Sequence, residues 1–402
     1  MRTANQGWIR GFGNLTHRLW RVLLRGVQAF ALLVMLVLFV AVGFYLRSEI
    51  YQFAPAQPFS GSSLYNPYDS MPPLRFKANF HAHSRSWGGL TNGHQSDSAL
   101  ITAYLSRGYH LPSLSNYHQI SDWSLNEAPL YVPVYESGYN PLKSHLLVMG
   151  LDRPSYFDFP LYQNTSQQQQ IIQRLRDRGA VLVMAHPDFG GGRRLADMPL
   201  LGGYHFMEVF NHYRHSEKYY DAALSAGRLS WVMANDDTHD LHREATFKRW
   251  NVMMGNQGVI RDVMQQALMG RHYAVYAEDS TFNKALVSCA IASVNERVFR
   301  FSHPLERIQA IGQNGKVLAS SVNTDTLRVE LVAQEPYARV EAVDQGAKIL
   351  LNPMVRYDGR NLPLAASLRA TPDPLLTWAF RFLVMISLIG ILWMARWVWT
   401  RG

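Results

Sequence analysis

Two uninterrupted apolar runs lie towards the ends of the chain, and between them the pattern of apolar and polar positions changes twice. Residues 26–46, GVQAFALLVMLVLFVAVGFYL, carry no charge and are bounded by Arg25 and Arg47. At ~1.5 Å per residue such a run crosses the ~30 Å hydrocarbon layer of a bilayer, which predicts a transmembrane helix. Ala54-Pro55-Ala56 has the small residues of a leader cleavage site. The apolar run is long for a leader and the triplet lies far beyond it, so an uncleaved anchor is expected. Residues 376–399 form the second run, with Arg381 one turn inside and Arg396 near its end. Both arginines can reach an interface along their aliphatic stems, and Trp378, Trp393, Trp397 and Trp399 suit interfacial belts. A buried soluble helix is the alternative; the position near the C-terminus and the short basic tail favour a span.

Between the runs, residues 47–74 are rich in Pro, Ser, Tyr and Gly and read as a linker. Over 75–280, short apolar strands alternate with helical patterns. Strands are expected at 75–80, 111–115, 145–150, 180–185, 206–210 and 229–234, and helices at 98–107, 166–178, 216–226 and 259–270. That alternation predicts an α/β class, as a barrel or a wound sheet. Over 283–365 the helical period stops. Short β-rich runs alternate with turns such as Asn314-Gly315 and Asp358-Gly359, which predicts a small β-sandwich-like domain. The four glutamines 167–170 fit a helix start.

Charge refines this picture. The net charge is +9, from 39 basic and 30 acidic residues. Residues 1–25 hold five arginines (Arg2, Arg10, Arg18, Arg21 and Arg25) and no acid; residues 396–402 hold two more. Without those seven, 26–395 has 32 basic against 30 acidic residues, so no nucleic-acid groove is expected. The positive-inside rule places a basic cytoplasmic N-terminus (1–25) before the first span and returns the C-terminus to the same side. The segment between is then extracytoplasmic. Cys289 is the only cysteine, which excludes an internal disulfide and a cysteine-based zinc site.

Twelve of the 15 histidines fall between residues 81 and 242, and their placement matters more than their number. His81 and His83 follow one expected strand, His118 lies just past another, His186 ends AVLVMA, and Asp237 and His239 follow LSWVMA. In parallel α/β architectures such strand ends converge on one rim, where active sites form. Imidazole and carboxylate together are ligands for zinc, manganese or iron, so a metal centre is expected. After His186 comes Gly190-Gly191-Gly192-Arg193-Arg194, where Arg193 and Arg194 could bind a substrate phosphate; a solvated loop is the alternative. Glu208 and Asn211 are candidates to line the pocket, and Asp236 to support the metal.

The order of these stretches resembles the PHP family, the polymerase and histidinol phosphatase superfamily. The matching stretches are NFHAHS at 79–84, SRGYHLPSLSNYHQISD at 106–122, VYESG at 134–138, HLLVMG at 145–150, VLVMAHPDF at 181–189 and ANDDTH at 234–239. The resemblance covers about half the chain. It implies a distorted (β/α)7 barrel over 75–280, with two or three divalent ions and phosphoester hydrolysis. It further implies one metal on His81, His83, Glu136 and Asp237, and a second on Glu136, His145 and His186. A third would sit on His94, His118 and His239, with Asp97 as the alternative to His94. Catalysis would rest on Glu136, Asp237 and His239. The chain departs from the family at Asn79, where an acid is usual, and at Asn116-Tyr117, where Thr-Asp is usual.

A two-metal site would lower the pKa of a bridging water and neutralise phosphoryl oxygens, so no nucleophilic side chain is required. The expectation is a bacterial inner-membrane phosphoesterase with both termini cytoplasmic and its catalytic domain periplasmic. Its substrate would be a phosphorylated small molecule, glycan or lipid, and the β-rich domain could bind an envelope protein. Two alternatives stay open: hydrolysis of a carboxylic ester or amide, and a non-catalytic envelope assembly factor that binds metal or ligand. A phosphatase-type reporter fused at Gly61 should be active and one fused after Gly402 inactive; the opposite pattern overturns the topology.

Overall fold

The computed structural model describes residues 4–121, 130–279 and 281–401, with side chains from Leu19 onward. Arg2, Asp122 and Gly402, and the side chains of Arg10 and Arg18, lie outside the described residues. The helices are α1 (Ala4–Gly43), α2 (Asp97–Leu105), α3 (Thr165–Asp177), α4 (Glu217–Ser225), α5 (Ile260–Leu268) and α6 (Pro374–Arg401). The strands are β1 (Tyr51–Gln52), β2 (Ser63–Tyr65), β3 (Leu74–Asn79), β4 (Leu111–Pro112), β5 (Val134–Ser137), β6 (Leu146–Met149), β7 (Val181–Met184), β8 (Phe206–Phe210) and β9 (Trp231–Ala234). They continue with β10 (Arg249–Gly255), β11 (His272–Tyr276), β12 (Leu286–Ile291), β13 (Glu296–Ile311), β14 (Val317–Glu330), β15 (Tyr337–Asp344), β16 (Ala347–Leu351), β17 (Met354–Tyr357) and β18 (Thr371–Pro372).

The chain divides into two compact units. The first holds α1 and α6, which pack on each other. Both are long and apolar enough to cross a membrane. Gln28, the one amide of the first apolar run, donates through Nε2 to the carbonyls of Val398 (2.9 Å) and Trp399 (3.2 Å). At the other end Arg381 Nε donates to Ser48 O (3.1 Å), so the helices run antiparallel. Side chains such as Phe30 and Trp393 are two-thirds exposed, as suits lipid contact.

The second unit, Gln52–Asp158 with Tyr162–Thr371, is mixed α/β. One sheet has the order β5-β6-β7-β8-β9, with β5 to β7 antiparallel and β7 to β9 parallel. The other follows β12-β13-β15-β16-β11-β10-β3-β4, with β14 on β13 and β17 joining β15 to β2. The β-rich segment therefore continues the sheet that carries β3, instead of standing apart as a sandwich. Its connection runs through β10 and β11, two strands that the periodicity did not predict. Both are almost wholly buried, yet Arg249, Asn251 and His272 interrupt the apolar run that marks a doubly buried strand.

Isolated parallel bridges, Tyr117 to Glu136 and Ala82 to Thr238, join the two sheets. The edge of β9 is completed by amide side chains. Asn251 Oδ1 accepts from Ala234 N (2.9 Å) and its Nδ2 donates to Ala234 O (2.7 Å). Asn352 Oδ1 accepts from Val232 N (2.7 Å), and Asn79 Oδ1 from Asp236 N (2.9 Å). Two histidines act in the same way: His272 Nε2 donates to Val232 O, and His205 Nδ1 accepts from Leu182 N. The glutamine run begins α3 as expected, after a capping box between Asn164 and Gln167. Its side chains are also buried: Gln168 holds Gly192 O, and Gln169 both donates to and accepts from Gly202.

Asn251 is fully buried. Asn251→Leu keeps its approximate shape but leaves the Ala234 amide and carbonyl without partners, which should cost about 3 kcal/mol. Thermal unfolding of the full chain in detergent measures this; an unchanged midpoint would show that the amide bridge is dispensable.

Candidate metal centre

The loops after β3, β7 and β9, together with β5 and the residue before β6, bring seven side chains together. His81 and His83 flank Ala82, whose bridge to Thr238 keeps the backbone extended, so both rings project to one side. Glu136 comes from β5, His145 precedes β6, His186 follows β7, and Asp237 and His239 follow β9. All seven are at most 5% exposed. Glu136 is the hub: its Oε1 stands 3.4 Å from His81 Nε2, 3.2 Å from His186 Nε2 and 2.5 Å from His145 Nδ1, and its Oε2 3.2 Å from His83 Nε2. Asp237 Oδ1 lies 3.2 Å from His81 Nε2 and 3.3 Å from His83 Nε2.

These side chains form four overlapping triads whose ligand atoms lie within 4.8 Å of one another: His81–His186–Asp237, His81–His83–Glu136, His83–Asp237–His239 and Glu136–His145–His186. The test of fit is how they satisfy themselves. His81 Nε2, His83 Nε2, His145 Nδ1, Glu136 Oε2 and Asp237 Oδ1 are buried and make no hydrogen bond. Buried polar atoms are nearly always paired, so atoms that converge without bonding suit a cation shared among them. The electrostatics agree. Burial alone would lower the His81 pKa, but Asp237, Glu208 and Glu136 outweigh it and hold it well above the usual imidazole value. Burial alone would raise Glu136, but His145 and His81 hold it well below the carboxylate range. The pocket therefore has a surplus demand for positive charge, which a divalent ion meets.

Glu208, fully buried in β8, organises the cluster from behind. It accepts from His81 Nδ1 (3.0 Å), from Asn235 Nδ2 and Asn211 Nδ2 (2.9 Å each) and from the His186 amide (2.9 Å). The His81 bond puts the proton on Nδ1 and turns the Nε2 lone pair towards Asp237 and Glu136. His186 and Asp237 both hold positive φ, 27° and 48°. Such backbone costs about 1–3 kcal/mol per residue and is typical of functional sites.

Several expected residues stand elsewhere. The third metal on His94, His118 and His239 does not assemble. The His94 ring is 60% exposed, and its nearest carboxylate is Asp240, at 3.8 Å. His118 uses both ring nitrogens: Nδ1 donates to Ser155 O (2.8 Å) and Nε2 accepts from Gly138 N (3.0 Å). His239 instead stacks on His83, with centroids 4.2 Å apart. Asp97 belongs to no triad among the described residues. Arg193 is buried and donates to the carbonyls of His145 (2.8 Å) and Ala185 (3.3 Å), a strut beneath the site. Arg194 is paired with Asp197 at the start of a short helical turn. The arginine that does line the rim is Arg243, in a crevice with His212, Asp237 and His239. Asp236 faces away from the cluster and accepts from Tyr104 Oη and the Phe247, Lys248 and Arg249 amides. The two departures from the family have structural roles. Asn79 joins β3 to the end of β9, and Tyr117 stacks on His83 at 4.6 Å with its hydroxyl 3.4 Å from His239 Nε2.

No family model matches the sequence, and no curated protein matches it. Among the solved structures that match are two of low overall similarity. One is a two-domain protein from Bacteroides vulgatus containing a predicted PHP-like metal-dependent phosphoesterase. It is 10% identical, with TM-score 0.39 over 80% of this chain and 99% of that one. The other is a candidate metal-dependent phosphoesterase from Bifidobacterium adolescentis. It is 12% identical, with TM-score 0.33 over 49% of this chain and 96% of that one.

Elemental analysis of the full chain in detergent tests the cluster. Glu136→Gln should lose most of the bound metal, because all four neighbouring imidazoles lose their shared anion. His94→Ala should keep it. Equal metal in parent and Glu136→Gln would remove the centre; loss in His94→Ala would restore the third site.

Proposed function

We propose that this chain is a membrane-anchored, metal-dependent phosphoesterase. The observation that carries the reading is the buried convergence of five imidazoles and two carboxylates on Glu136 and Asp237, in the chain order of the PHP motifs. On this reading residues 75–280 form the distorted (β/α)7 barrel. The seven side chains would hold divalent ions, of zinc, manganese or iron. Such ions supply Lewis acidity: they neutralise phosphoryl oxygens and acidify water.

The chain's own residues do the rest. Glu208 fixes the orientation of His81, and Arg193 supports the carbonyl of His145. Burial, Glu136 and Asp237 all oppose ionisation of Tyr117, so its hydroxyl remains a proton donor beside His239. Arg243, exposed at the rim, is placed to meet a phosphate that protrudes from the crevice. Cys289 is no rival nucleophile: burial pushes its thiol up to about 12, and it belongs to none of the ligand triads.

The same proposal places α1 and α6 in the inner membrane of a bacterium and the α/β unit in the periplasm, supported by the arginine distribution and the exposed apolar faces of both helices. The substrate class would be a phosphoester of the envelope, glycan or lipid, and nucleic acid is not a partner. An envelope protein could dock on the β-rich segment, where Val294 and Val322 are exposed.

A screen of phosphomonoesters and phosphodiesters with the metal-loaded full chain should find turnover, and Glu136→Gln should reduce it at least about a hundredfold while the fold persists. Metal retention with no hydrolysis of any phosphoester would leave a binding factor; turnover confined to carboxylic esters or amides would move the chain to that class.

A further inference from the structure

Beside the cluster lies a second cavity, of about 370 Å³, within the range of small-ligand sites. It shares a wall with the metal centre. Tyr117 and His145 line it, and the Tyr117 ring stands 4.6 Å from the His83 ring and 5.7 Å from the His145 ring. Its other walls are aromatic: Trp87, Tyr139 and Tyr156, each between 44% and 58% exposed. The polar tips of these rings are tied to backbone carbonyls. Trp87 Nε1 donates to Tyr117 O (2.7 Å), Tyr139 Oη to Tyr156 O (3.4 Å) and Tyr156 Oη to His118 O (3.4 Å). The ring bodies therefore remain as the open surface.

Two further features mark this cavity as a ligand site. Its only formal charge is Lys143, which has no carboxylate partner among the described residues. No carboxylate lines the cavity. Its backbone is also strained: Trp87, His118 and Lys143 hold φ of 53°, 48° and 63°. With His186 and Asp237, five of the nine non-glycine residues at positive φ among the described residues lie in the cluster or this cavity. Strain of this kind collects where geometry serves a ligand.

We infer that this cavity receives the alcohol half of the substrate, and that this alcohol is a ring with an open face, carried on the phosphate that meets the metal centre and Lys143. The inference rests on the phosphoesterase reading for the phosphate but on the aromatic walls alone for the ring. Aromatic faces reward a stacked ring and give little to a short acyclic chain. Sugar rings and nucleobases share this chemistry; one is saturated and puckered, the other flat.

Phosphonates, which lack the scissile P–O–C link, test binding without turnover. The metal-loaded full chain in detergent is titrated by calorimetry with phenylphosphonate, cyclohexylphosphonate and propylphosphonate. At least one ring compound should bind about tenfold more tightly than the propyl compound. A phenyl preference identifies a flat ring and a cyclohexyl preference a saturated one. The double substitution Tyr139→Ala/Tyr156→Ala should reduce the ring advantage to under about twofold, and Tyr156→Phe should retain it. No ring advantage in the parent, or one that survives the double substitution, overturns the inference. A ring advantage without hydrolysis of any phosphoester keeps the ring site and removes the phosphoesterase reading. Hydrolysis without a ring advantage does the reverse.

Discussion

The Glu136 carboxylate, buried and within 3.4 Å of four imidazoles, is the constraint around which this structure is arranged. A buried anion is tolerated only where positive charge or donors surround it. Here His186 Nε2 bonds Glu136 Oε1 (3.2 Å), while His81 Nε2, His83 Nε2 and Glu136 Oε2 converge without a hydrogen bond, so the arrangement suits cations that hold them together. The chain supplies these side chains from five separate stretches, and each must stand at the right height on its strand for the atoms to meet.

That requirement explains why the sheet edge at β9 is irregular. A strand that turns inward to present a ligand leaves its backbone groups unpaired, and buried unpaired groups are costly. Asn79, Asn235, Asn251 and Asn352 take up those groups with their side-chain amides. Glu208 then connects this amide network to the metal side through His81 and the His186 amide. The support of the fold and the orientation of the ligands are thus one hydrogen-bond system, and the left-handed backbone at His186 and Asp237 is held in place by it.

The same economy accounts for the residues that resemble ligands and are not. Arg193 is drawn beneath the site because the carbonyls of His145 and Ala185 need a donor. His118 is drawn into the loop after β4 because Ser155 O and Gly138 N offer an acceptor and a donor at the two ring nitrogens. Burial lowers the His118 pKa, in keeping with a neutral imidazole that both donates and accepts. Its ring then stacks on Tyr156 at 5.4 Å and becomes part of the aromatic cavity.

Much of this was readable from the chain alone. The apolar runs fixed two long helices, and the positions of most strands and helices followed from periodicity, because half-buried elements must alternate. The ligand set His81, His83, Glu136, His145, His186, Asp237 and His239 was legible because metal chemistry restricts residue types and strand ends restrict positions; Glu136 and His145 needed the family resemblance. β10 and β11 were not legible, because a strand buried on both faces is marked by a continuous apolar run, and Arg249, Asn251 and His272 interrupt theirs. Nor could the chain show that the β-rich segment continues the sheet that carries β3, because strand pairing depends on long-range register. The fates of His94, His118, Arg193 and Arg194 were likewise decided only by tertiary structure. An imidazole or a guanidinium has the same potential in every sequence, and which partner satisfies it depends on the carbonyls and amides that folding brings within reach.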